Sequence, residues 1–161
     1  MLAALNGEFT IKRLHQPSVL AQLAALKASL LVISFAELDY LRRWVDHFRQ
    51  NILEPSYQEQ GVNCPQPFER TRFLANPDRS VYHAYGLGQN SPREVYSFKI
   101  LRQYARWKAA GKPVELPSQD ALQRGGDFVT GPSGRLTLAH TGRNQSERPP
   151  VEEILAAMLK S

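Results

Sequence analysis

Cysteine is almost absent. The 161 residues hold one, Cys64, so no intrachain disulfide can form. By default that places the chain in a reducing, cytoplasmic setting. Long apolar runs are missing as well. The longest is Leu30–Phe35, broken by Ser34. A membrane span needs ~20 apolar residues, so no span and no membrane partner are expected. The opening "MLAAL" has no basic residue and makes a poor signal peptide. No internal repeat, low-complexity tract or Walker loop is present. Gly86-x-Gly88 is too short for a dinucleotide fingerprint and follows a helical stretch. His47, His83 and His140 show no ligand spacing, so neither a metal nor another cofactor is expected.

What remains is an ordinary globular composition, 42% apolar, long enough for one domain over residues 1–161. The net charge of +5 permits nucleic acid, acidic proteins or an anionic surface as partners and demands none. "EFTIKR" (8–13) alternates like a short strand and runs into Gln16-Pro17-Ser18-Val19, with Pro17 placed for a first helical turn. Val19, Leu20, Leu23 and Leu26 continue at helical spacing. "LLVISF" (30–35) reads as a covered strand. Leu38, Leu41, Val45, Phe48 and Ile52 then form one helical stripe. This is a βαβα unit. Residues 54–70, rich in proline, read as loop. "TRFLANPD" is a strand and turn, and a short helix runs from Asp78 to a stop at Gly86. A long helix covers 92–110, with linker to about 120. A hairpin follows, with strands near 126–130 and 135–140, and a last helix over Val151–Leu159.

That order is α/β and matches a thioredoxin-like three-layer sandwich. Its central mixed sheet would combine βαβα, a hairpin and a C-terminal helix, with a helical insertion at 90–120. Two stretches sharpen the match. "FLANPDRSVYHAYGLG" (73–88) resembles the peroxiredoxin segment with an Asp-Pro-Asp-like turn and a Tyr-Gly helix end. "GGDFVTGPSGRLTLAHTGRNQSERPPVEEIL" (125–155) is similar to the C-terminal half of peroxiredoxin-like proteins of the alkyl-hydroperoxide-reductase/thiol-specific-antioxidant family. The branch is the one related to peroxiredoxin-like 2 and selenoprotein L. Gly125 to Phe128, His140 and Arg148 to Pro150 carry that likeness.

The resemblance implies Cys-Pro-x-Cys where a strand meets the first helix. Laid back from the helix, the motif falls on Gln16, Pro17, Ser18 and Val19, which keep the proline and lack both sulfurs. A helix start stabilises thiolate, but glutamine supplies no nucleophile and Ser18 no evident base. The expected function is therefore a thioredoxin-fold protein without thiol catalysis, acting as a binding or assembly module. A thiol-dependent peroxidase or redox sensor using Cys64 is the enzyme alternative. Arg124 and Gly125, just before the hairpin, are ligand candidates for a small anion. The basic patch Arg93, Lys99, Arg102, Arg106 and Lys108, interleaved with aromatics, is the third alternative, an anion or nucleic-acid surface. It reads chiefly as a solvated helix face, which makes nucleic acid the lesser expectation. The expected assembly is a homodimer, formed through an uncovered strand edge.

Overall fold

The structure, a computed structural model, describes residues 10–62, 68–92, 122–142 and 147–160 and positions 102, 106 and 109. It is a mixed α/β protein. The chain packs as two compact units, one of residues Glu8–Val81 and one that includes Tyr82–Ser161.

The first unit contains α1 (Pro17–Ala25), β1 (Leu30–Ser34), α2 (Leu38–Phe48), α3 (Glu54–Glu59) and β2 (Thr71–Ala75). The strands pair in parallel, Leu30 against Thr71 through Ser34 against Ala75. One sheet face meets α2 through aromatic rings. Trp44 stacks on Phe48 at 5.1 Å and meets Phe73 at 6.2 Å, while Phe68 meets Phe73 edge-on at 4.8 Å. Phe48 and Leu23 are fully buried, with Leu41, Leu53 and Tyr57 close behind. Of the foreseen stripe, Leu41 and Phe48 are buried, Val45 and Ile52 are partly so, and its first member, Leu38, is half exposed.

Two expectations are corrected here. Residues 10–14 are helical, not a strand. Their alternation is short, and Ile11, Leu14 and His15 also stand at helical spacing. The amide of His15 donates to the carbonyl of Ile11, closing a helical turn. Residues 54–59 are helix rather than loop. Pro55 would remove a hydrogen bond and press on the carbonyl four residues back. The chain answers with a wider π turn over Arg49–Leu53, which carries the helix past the proline.

The second unit contains β3 (Gly126–Thr130), β4 (Leu136–Thr141) and α5 (Val151–Leu159). The short helix α4 (Ser80–Ala84) spans the boundary between the units. β3 and β4 form an antiparallel hairpin with an irregularity between Val129 and Thr130. α5 packs on both strands through Val151, Ile154 and Ala157. The hairpin and last helix stand where the sequence puts them. Among the described residues the strands thus make two two-stranded sheets, one parallel and one antiparallel. Most of the foreseen 92–110 helix and its linker lie outside the described residues; Pro92 and positions 102, 106 and 109 are helical.

Candidate functional site

Parallel strands deliver their carboxyl ends to one edge, where α/β proteins gather loops and helix starts. Here β1 leads through Phe35-Ala36-Glu37 into α2, and β2 leads through Asn76–Arg79 into α4. Asn76 ties the two ends together. Its amide donates to the Ser34 carbonyl at 2.7 Å. Its buried side chain donates through Nδ2 to Asp78 Oδ1 and to Ser80 Oγ, and its Oδ1 accepts from the Val81 amide at 3.0 Å. Asp78 Oδ1 also accepts from the Ser80 hydroxyl at 3.1 Å. The Arg79 guanidinium lies over the Phe35 ring, 5.3 Å from its centre, on a left-handed backbone with φ 59°.

This edge is the observed strand-to-helix junction, and among its described residues there is no thiol. Ser34 Oγ accepts from the Ala36 amide at 3.1 Å, and Ala36 is buried. Glu37 is the N-cap of α2 with extended dihedrals, and its carboxylate makes no capping bond. The junction can position a ligand or a partner. Its described residues include no group for thiol exchange.

The turn Gln16 to Val19 is built differently from the expectation. Gln16 is an extended N-cap and Pro17 opens α1, as foreseen. What enters the turn is a helical segment, so no strand end lies there. Gln60 Nε2 donates to Gln16 Oε1 at 3.1 Å, and Ser18 is exposed. His15, beside them, is only 2% exposed. Its Nδ1 lies 2.7 Å from the Ile11 carbonyl, which can only accept, so Nδ1 carries the proton. Nε2 then accepts from the Thr71 hydroxyl at 2.9 Å. The Tyr57 hydroxyl donates to the His15 carbonyl, and Phe68 meets the ring edge-on at 5.3 Å. Burial pushes the His15 pKa below its ordinary 6.5, with the Ile11 bond opposing. Both ring nitrogens are engaged, so His15 is a structural pin and supplies no base to Ser18.

Arg124 and Gly125 sit where the segment 88–90 runs beside 122–124. Gln89 bridges Gln123 in antiparallel fashion, the Asn90 amide donates to the Leu122 carbonyl at 2.7 Å, and the Arg124 amide donates to the Gly88 carbonyl at 3.1 Å. Arg124 Nε donates to Asn90 Oδ1 at 2.7 Å. Buried Gln123 donates to the carbonyls of Leu87, Gly88 and Arg124. Arg148 lies across Gly125: a Cβ there would stand 2.6 Å from Nη2. Its Nη1 pairs with Asp127 Oδ2 at 3.1 Å, both side chains about one-fifth exposed. Gly126 is less forgiving, because a Cβ would meet backbone, the His140 carbonyl, at 2.8 Å. Asn76, Asn90 and the Arg148–Asp127 pair escaped the sequence reading. The "NPD" turn was the available signal for the first.

Arg102 and Arg106 are exposed and helical, four apart and so on one face. Arg93, Lys99, Lys108 and Cys64 lie outside the described residues. Among the described residues no three His, Cys, Asp or Glu are grouped to hold a metal ion, and no helix is long and apolar enough to cross a membrane. Compared with known proteins, the chain matches no family model, no curated protein and no solved structure.

Proposed function

We propose that this chain is a peroxiredoxin-like, thioredoxin-fold module without thiol catalysis, acting through binding or assembly. One observation carries the reading. The parallel β1–β2 pair brings two helix starts to one edge, as redox folds do, and Ser34, Phe35, Ala36 and Glu37 stand there in place of a thiol. The hairpin followed by a terminal helix adds support, in the same order as in the family resembled.

The sheet's other face favours association. Leu31 and Leu74 are 59% and 43% exposed and share that face with Ile33. Parallel sheets are ordinarily covered on both faces. A homodimer is the assembly proposed, and light scattering at high micromolar concentration should give twice the chain mass.

The function is tested with hydrogen peroxide and a thiol reductant. Consumption by the native chain should not exceed that of a heat-killed control. Turnover that disappears in Cys64→Ser would replace this reading with the single-cysteine enzyme.

A further inference from the structure

We propose that His15 is an acid-sensitive latch: it holds the helical arm of residues 10–25 against β2 and α3, and it lets the arm go when its ring takes up a proton. The inference concerns the first unit alone and stands apart from the redox reading.

The arm has little else to hold it. α1 has nine residues and buries one of them, Leu23. Gln16 gives it no side-chain cap, and its first turn has no acidic residue. A helix this short is marginal in water by itself, so its docking sustains it. Among residues 10–16, Thr10 and His15 are the buried ones, at 7% and 2% exposure. His15 ties this stretch to distant parts of the chain. Its Nε2 accepts from the Thr71 hydroxyl at the start of β2 at 2.9 Å, and its carbonyl accepts from Tyr57 of α3. Its ring meets Phe68 edge-on at 5.3 Å. Gln60 adds one exposed bond to Gln16.

A proton on Nε2 upsets this arrangement. Nδ1 already donates to the Ile11 carbonyl at 2.7 Å, so the charged ring has two donors. Its new N–H faces a hydroxyl that was donating to it. Thr71 must then turn its own proton elsewhere, on a residue 8% exposed. The charge is buried with a carbonyl and a hydroxyl for company, and such a charge is costly. The charged and titratable groups on the surrounding elements are Lys12 and Arg13 of the arm, Glu54, Tyr57 and Glu59 of α3, Glu69 and Arg70 ahead of β2, and Arg72 on it. Tyr57 meets His15 through its hydroxyl, and burial, not a carboxylate, dominates the proton affinity of the ring. Releasing the arm brings the ring to water, where it takes the proton readily, and bares the Phe68 ring beneath it.

Native-state hydrogen exchange of the full chain tests this, with protection factors compared at about pH 7.5 and about pH 5.5, on either side of the ordinary histidine value. The amides of Leu20, Leu26 and Ala28, bonded within and just after α1, report on the arm, and the Leu41 amide reports on α2. The arm amides should exchange through an opening of their own, faster than Leu41 and nearly independent of low urea. Their protection should fall by up to about tenfold from the higher pH to the lower, because the open ring binds the proton more tightly than the closed one. In His15→Gln that fall should vanish. If His15→Gln fails to fold, Thr71→Val carries the test: without the hydroxyl, the arm amides should lose protection already at the higher pH. Arm amides that exchange only in step with Leu41, protection that does not change with pH, or a fall that His15→Gln retains overturns the proposal. So does arm protection left unchanged in Thr71→Val.

Discussion

Two buried polar side chains of the first unit and three of the second differ in how fully they are paired. Within residues 8–81 two buried polar side chains, His15 and Asn76, have every side-chain nitrogen and oxygen engaged. His15 uses both ring nitrogens, and Asn76 uses its oxygen and its nitrogen. At the open end of the hairpin, Asn90, His140 and Arg148 each keep a buried nitrogen without a partner. A satisfied buried network fixes one structure. An unsatisfied one costs stability, which a ligand can return. The His15 and Asn76 networks are thus read as architecture.

The comparison breaks most visibly in the aromatic core. Phe48→Ala empties the stack with Trp44 and should cost about 3–5 kcal/mol in urea unfolding. Gly126→Ala follows at about 1–3 kcal/mol, because its methyl meets backbone, the His140 carbonyl, and not a flexible side-chain end. Asn76→Ala should cost about 1–2 kcal/mol, through the lost cap on Val81 and the lost anchor for Asp78. A smaller result there than for an exposed control such as Ser18→Ala would deny Asn76 its role.

The pH dependence sharpens the contrast at the small end. His15 is neutral in the fold, and its pKa lies below 6.5. As pH falls through 6.5 the unfolded chain takes up the proton first. Stability should therefore be full above that value and decline below it, toward the folded pKa. His15→Gln should flatten this part of the curve, whatever it costs overall. A decline of equal size in that variant would assign the effect to other groups.

The sequence made some of this legible and hid the rest for identifiable reasons. The strand over 30–34, the hairpin and the helix over 151–159 each combine a clear period with a clear stop. The 10–14 segment carries too few apolar residues to separate a period of two from one of 3.6. It was His15, folding back on Ile11, that decided for helix. Pro55 looked like a terminator because its cost is local, while the π turn that absorbs it depends on the register of the whole helix. The site moved for the same reason. Reading 8–13 as strand puts the strand-to-helix junction at Gln16, whereas the observed one lies at Ser34–Leu38. Asn76 and Asn90 draw their importance from partners brought close by folding, which their neighbours in sequence do not announce.

The central claim is that the β1–α2 junction is a redox-type helix start without its sulfur, and putting the sulfur back tests it directly. Glu37→Cys in a Cys64→Ser background places a thiol at the N-cap of α2, where the free N–H groups and the helix dipole stabilise thiolate. The measurement is alkylation rate against pH. The expected result is a pKa clearly below the ~8.5 of an unperturbed cysteine, lower than that of Gln16→Cys in the same background. A Glu37→Cys thiol that titrates at or above that value, or above the Gln16→Cys thiol, would contradict the claim.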